Sequence, residues 1–154
     1  MSEFSVRRAT VADFQELAAI DQSIWADRSV PDGEHAWRVW VEFCLVFCAT
    51  SKESIIGSAL AFPTTTSNLY FLHKIFVLRE WRQSGVGKQL MAKLCHSLDE
   101  LKVDCSLTTS PKNEKMIALS KHFGFSESQL RTRYYGTGKD RLFLTRRSPD
   151  KAPG

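Results

Sequence analysis

The sequence predicts an α/β domain built on a mixed sheet, and three observations carry that prediction. Two apolar runs, residues 43–49 and 55–62, are separated by the polar stretch Thr50-Ser51-Lys52-Glu53-Ser54, which is a hairpin pattern. A strand, a helix and another strand then succeed one another over residues 69–109, the order that crosses over between two parallel strands. The helix of that unit is marked by Val86, Leu90, Leu94 and Leu98, recurring every fourth residue with Met91 and Leu101 beside them. At 154 residues the chain is long enough to bury a core as a single domain, placed at residues 1–147.

Taken in order, a first strand covers residues 3–8. Thr10 with Asp13 forms an N-cap pair that starts a helix running to about residue 22. Residues 25–33, containing Pro31 and Asp32, read as a loop, and residues 34–42 as a short helix carrying Trp37 and Trp40. After the hairpin, residues 69–77 (LYFLHKIFV) have the β-branched and aromatic content of a buried strand. Helix 86–101 and strand 104–109 follow, then Pro111 and a fourth helix over residues 113–123, with Gly124 just past its end. Two last strands, about 126–135 and 141–145, flank Gly136-Thr137-Gly138. Residues 148–154, with two prolines, read as a disordered tail.

Composition narrows the function classes. No apolar run approaches the ~20 residues of a membrane span, and residues 1–10 lack the apolar core of a signal peptide. The expectation is a cytoplasmic protein with no membrane partner. Cys44, Cys48, Cys95 and Cys105 fit no zinc or redox spacing, so buried free thiols and no bound metal are expected. The net charge of +4 suits an anionic ligand. The densest basic cluster, Arg131, Arg133, Lys139, Arg141, Arg146 and Arg147, comes with no stacking motif, so it reads as a charged edge strand and no nucleic acid is expected.

The segment Arg82-Gln83-Ser84-Gly85-Val86-Gly87-Lys88, between strand and helix, is the main chemical signal. Two glycines let the backbone approach an anion, and the first turn of the helix adds unsatisfied N–H groups and the positive end of its dipole. Lys88 in that turn opposes the dipole by ~0.3–1 kcal/mol unless a bound anion reverses the local sign. A Walker loop is excluded, because no glycine stands five residues before Gly87 and Gln89 follows Lys88. A dinucleotide fingerprint is excluded because position 90 is Leu.

The spacing Arg82-x-x-Gly85-x-Gly87 resembles the coenzyme A pyrophosphate loop of the GNAT superfamily of N-acetyltransferases. Ile75-Phe76-Val77, Asn113 with Ser120 and Gly124-Phe125, and the N-terminal residues 6–20 are similar to that family's other segments, so the resemblance spans residues 4–147. It implies a seven-stranded, mostly antiparallel sheet flanked by about four helices. It also implies acetyl-CoA as co-substrate, with its pyrophosphate over Gln83, Ser84, Gly85, Val86, Gly87 and Lys88. Backbone groups of Ile75, Phe76 and Val77 would hold the pantetheine, the side chains of Ile75 and Val77 being core. Asn113 would bond the cofactor arm or cap its helix, the two roles being compatible.

By the same resemblance the chain transfers acetyl to a primary amine by direct attack, a reaction that needs positioning and a route for protons. The family's tyrosine acid is Ser120 here, a poor acid that can donate a hydrogen bond to sulfur. Its strand-four carboxylate is missing, leaving His73 either as a proton relay or as a satisfied core histidine. Tyr134 or Tyr135 reaches in, or serves as core or interface. Such a site suits a weakly basic amine, since an α-amine near pKa ~8 deprotonates far more readily than a lysine-type amine near ~10.4. The segment from Gly124 to Leu144 also resembles ribosomal-protein alanine N-acetyltransferases, although their strand-five glutamate is Thr108 here. Small molecules and peptide N-termini are therefore both candidate acceptors. Trp25, Trp37 and Trp40 form either an acceptor wall or a packed helix face. A homodimer through the C-terminal strands is a family-level expectation, and a catalytically silent acyl-CoA-binding or sensing module is the alternative reading.

Overall fold

The computed structural model describes residues 3–25 and 32–149. One seven-stranded mixed sheet has the order β1-β2-β3-β4-β5-β7-β6, with four helices. The strands are β1 (Ser5–Arg8), β2 (Leu45–Ser51), β3 (Ser54–Pro63), β4 (Leu69–Val77), β5 (Asp104–Thr109), β6 (Glu127–Arg131) and β7 (Arg141–Arg146). The helices are α1 (Phe14–Trp25), α2 (Glu34–Phe43), α3 (Val86–Leu101) and α4 (Glu114–His122). β4 and β5 run parallel, with Leu69, Tyr70 and Phe71 opposite Asp104, Cys105 and Ser106. β1–β2, β2–β3, β5–β7 and β6–β7 are antiparallel. The bounds expected for β4, α3 and β5 coincide with those observed.

The chain divides into two compact units, Met1–Phe62 with Lys74–Leu94, and Pro63–His73 with Cys95–Gly154. The boundary falls inside β4 and inside α3. In the first unit, Thr10 N–H donates to Asp13 Oδ2 at 2.7 Å, as the capping pattern requires, and a short 3-10 turn over Val11–Asp13 precedes α1. Arg7 grips the same carboxylate at 2.8 and 2.9 Å, which holds Asp13 below the usual carboxylate range. The core gathers around Trp37, which is fully buried with Leu17, Val41, Val46, Leu60 and Phe76. Trp37 and Phe76 meet edge-on at 6.3 Å, and Trp40 packs at 5.3 Å from Trp37. Trp37 is thus core rather than an acceptor wall, while Trp25 closes α1 with a side chain outside the described residues.

A buried polar cluster sits beside that core. Asp21 Oδ2 accepts from Trp37 Nε1 at 2.9 Å, and Lys74 Nζ donates to Asp21 Oδ1 at 2.7 Å and pairs with Asp32 Oδ2 at 2.7 Å. This ties the end of α1, the start of α2 and β4 into one packed body. The loop expected over residues 25–33 lies, for residues 26–31, outside the described residues.

In the second unit Leu98, Cys105, Leu107, Phe125 and Leu144 are buried. Arg146 reaches from β7 to Asp99 at 2.7 and 2.9 Å and to the Phe123 carbonyl at 2.8 Å. Arg147 bridges Asp104 and Glu127. Ser148, the first residue of the expected tail, is buried and its N–H donates to Asp104 Oδ1 at 2.9 Å; residues 150–154 lie outside the described residues. β6 is an exposed edge strand and is shorter than its pattern predicts. It stops at Arg131 because Arg133 takes φ +55° and its N–H bonds Asp140 Oδ1 at 2.8 Å. Tyr134 and Tyr135 accordingly sit in the turn and not on a strand.

Candidate functional site

In the first unit the chain leaves β4 through a 3-10 turn, Arg79–Trp81. Leu78 N–H anchors that turn on the Ile56 carbonyl at 2.8 Å. Arg82 Nε then donates back to the Val77 carbonyl at 3.2 Å, and the Ser84 hydroxyl to the Trp81 carbonyl. Gln83 has φ +67° and Gly85 φ +89°. A Cβ at Gly85 would meet no other atom within 4 Å, so the backbone angle alone asks for glycine there. Gln83 adopts the same region with a side chain, a strain of about 1–3 kcal/mol that surrounding structure must hold in place. Left-handed residues in such a turn are one way in which backbone N–H groups come to face an anion.

The helix adds to this turn. Gln89 N–H donates to the Gly85 carbonyl at 3.1 Å, so the N–H groups of Val86, Gly87 and Lys88 have no acceptor within the helix. No acidic residue lies in this first turn, and Lys88 is exposed. Helix dipole and ammonium therefore add in favour of an anion. Val86 is buried with Leu90, Met91 and Leu94, which pins the start of α3. Gly57 on β3 allows the close approach behind it: a Cβ there would fall 2.8 Å from the Phe76 carbonyl oxygen and 3.2 Å from Val86 and Leu90.

Along β4 the side chains alternate. Leu72 and Phe76 are buried, and Lys74 meets Asp21 on that same face. Ile75 and Val77 are half-buried rather than core, and His73 is exposed, which removes the core-histidine reading. The reason is the pleat: the Trp37 side of β4 takes the even-numbered residues.

In the second unit Asn113 caps α4, its Oδ1 accepting from Met116 N–H at 3.2 Å. Ser120 is fully buried, and its hydroxyl donates to the Met116 carbonyl at 2.7 Å. The one proton of that hydroxyl is therefore engaged inside the helix. Tyr134 and Tyr135 are 45% and 61% exposed, neither core nor strand residues. Their rings contact each other at 4.8 Å, and Tyr134 meets Phe143 at 5.1 Å. Arg141 belongs to the basic cluster that the sequence suggests is a charged edge strand, but β7 lies between β5 and β6, and Arg141 Nη2 donates to the carbonyl and hydroxyl oxygens of Thr108 at 3.0 and 3.2 Å. A cation opening the last strand was the only signal of that contact.

The thiols are inert as nucleophiles. Burial pushes Cys48 and Cys105 up to about 12 and Cys95 up to about 11, and it raises the half-buried Cys44 as well.

A mixed sheet feeding a glycine-bearing turn into a helix N-terminus is an arrangement that suits a phosphorylated ligand. The comparisons with known proteins refine that class. Residues 11–125 match the acetyltransferase (GNAT) family. The chain belongs to this family: it is an acyltransferase, and acetyl-CoA is its acetyl donor. Among solved structures it is similar to the ribosomal-protein-S18-alanine N-acetyltransferase from Escherichia coli, with TM-score 0.81, 20% identity, and 99% of this chain and 98% of that one covered. Arabidopsis thaliana NAA60 in complex with a bisubstrate analogue gives TM-score 0.81 at 15% identity, covering 97% and 100%. The NatC complex bound to Gag peptide and CoA gives 0.77 at 20% identity, covering 94% and 98%. At these identities the likeness establishes the fold. A search of curated proteins by sequence finds no match. No helix among the described residues is long and apolar enough to cross a membrane.

Proposed function

We propose that the protein transfers the acetyl group of acetyl-CoA directly to a primary amine of a small molecule or a peptide N-terminus. The observation that carries this reading is the turn formed by left-handed Gln83 and Gly85 with the first-turn N–H groups of α3. Arg82, Gln83, Ser84, Gly85, Val86, Gly87 and Lys88 hold the pyrophosphate. The backbone of Ile75, Phe76 and Val77 aligns the pantetheine, and Asn113 bonds the same arm while capping α4. Acetyl-CoA supplies an acetyl group activated as a thioester.

The chain's own part is positioning and proton management. Ser120 lines the cofactor arm without donating its engaged proton. A leaving thiol with a pKa near that of cysteine, ~8.5, needs little acid assistance. His73, exposed on β4, relays the proton released by the attacking amine, and Tyr134 borders the acceptor. A site so equipped works best on weakly basic amines, since no carboxylate base is assigned. The exposed β6 edge supports a homodimer through the C-terminal strands, and four free thiols, three of them buried, support a reducing, cytoplasmic setting.

The test is release of free CoA thiol from acetyl-CoA with α-amino, ε-amino, polyamine and peptide acceptors. Amine-dependent release is expected, fastest with α-amines. Tight acetyl-CoA binding with no release from any acceptor would instead favour a silent sensing module.

A further inference from the structure

The second unit contains a cationic, aromatic surface whose arginines differ in one respect from their neighbours on the same strand. Arg146, which ends β7, and Arg147 just after it are each paired with carboxylates, Asp99 in one case and Asp104 with Glu127 in the other. Arg141 opens that strand and is half-buried, yet among the described residues no carboxylate pairs with it. Its contacts are the carbonyl and hydroxyl oxygens of Thr108 and the ring of Tyr135, 5.6 Å from its guanidinium carbon. Its Nε is buried and has no hydrogen-bond partner among the described residues.

A partly buried guanidinium without a counter-ion is costly, and a buried N–H left unbonded adds to that cost. In native structures such a group calls for a partner, and a ligand acceptor is one that meets the need. The surroundings agree on the ligand's sign. From Arg131 to Arg141, both included, the chain carries four cations and one carboxylate, Asp140, and that carboxylate accepts a backbone N–H from Arg133. The Arg131 guanidinium carbon sits over Phe143, 3.6 Å from the ring centroid, and its Nε donates to Gln129 Oε1 at 3.0 Å, so its charge is held in place rather than swinging in solvent. Tyr134 and Tyr135 provide exposed aromatic surface between the two arginines.

We propose that Arg141, assisted by Arg131, binds a carboxylate of the acceptor, so that the enzyme prefers amines carrying an acidic group. The inference rests on the acetyl-transfer reading above and names the acceptor class for it. The carboxylate takes the Arg141 Nε–H that the protein leaves unbonded, displacing the exposed Tyr135 ring, while Thr108 holds the neighbouring Nη2. Arg141 is a specificity residue here and takes no part in the acetyl transfer itself.

The experiment compares kcat/KM for peptides with one N-terminal residue followed by Glu-Glu, Gln-Gln or Lys-Lys, and for free glutamate against free glutamine. The wild type should favour the acidic acceptor about tenfold or more over its amide counterpart, and added salt should narrow the gap. Peptide preference without amino-acid preference identifies an acidic side chain near a protein N-terminus; the reverse identifies a free acidic amino acid. Arg141→Gln should abolish the preference through KM with little change in kcat, and Arg141→Lys should restore only part of it. Equal rates for acidic and amide acceptors, or a preference that survives in Arg141→Gln, would overturn the proposal while leaving acetyl transfer intact. Binding of the N-acetylated Glu-Glu and Gln-Gln peptides by calorimetry tests the same point without turnover, and equal affinity again overturns it. Salt-sensitive RNA binding lost in Arg141→Gln, with no acidic preference, would reassign the surface to nucleic acid.

Discussion

From Arg82 to Lys88 the groups proposed to face a ligand are backbone N–H donors, held by two left-handed residues and a helix start. From Arg131 to Arg141 they are side chains, a stacked guanidinium, two exposed tyrosines and an arginine tied to Thr108. The first arrangement suits an invariant anion, since any pyrophosphate meets the same peptide dipoles whatever the neighbouring side chains. The second suits discrimination, since changing one side chain changes what is recognised. A transferase with one donor and a chosen acceptor needs one surface of each kind.

Gly87→Trp attacks the backbone surface most directly. It should lower acetyl-CoA affinity beyond measurement by calorimetry while the circular dichroism spectrum stays native; ordinary affinity would remove the loop from the site. Gly85→Ala is the subtler version, forcing a Cβ onto φ +89° at about 1–2 kcal/mol, and should weaken acetyl-CoA while leaving any acidic-acceptor preference unchanged.

The ion pairs sharpen the contrast between unpaired and paired cations. Lys74 is held by Asp21 and Asp32, so Asp21→Ala leaves a buried ammonium short of its main partner and should destabilise by about 3–5 kcal/mol, read as a drop in the denaturation midpoint. Arg141→Gln, with no pair to break, should leave that midpoint nearly unchanged. Asn113→Ala should remove about 1 kcal/mol of capping; a rise in the KM for acetyl-CoA exceeding that loss would reveal the second role proposed for the amide.

Asp13 provides the pH test. Arg7 depresses its folded-state pKa below the unfolded value near ~3.9, so its contribution is complete above about pH 4 and disappears as pH falls through the folded value. With Arg7 well exposed, the loss is about 1 kcal/mol at most, and Asp13→Asn should flatten the acid limb of the stability profile. Ser120→Ala should change least. It removes a hydroxyl bonded within its own helix, and turnover with an α-amine should stay within about twofold, because that proton is not the one transferred.

Much of this was legible before any coordinates. β4, α3 and β5 fall within their expected bounds because apolar periodicity and glycine positions are local signals, read over a few residues. The loop was legible for the same reason: φ above zero at Gly85 and the helix N-terminus after it are properties of neighbouring residues. β6 was overextended because nothing in its run of residues announces that Arg133 turns left-handed and bonds Asp140.

The sequence by itself therefore determined the order of elements and the family, each encoded by spacing along the chain. Tertiary structure alone decided that Asp21 clasps Lys74 across 53 positions and that Arg141 reaches Thr108 across 33. Side-chain partners depend on which strands and helices the fold brings side by side, and a one-dimensional pattern records the faces of those elements but not who stands opposite them.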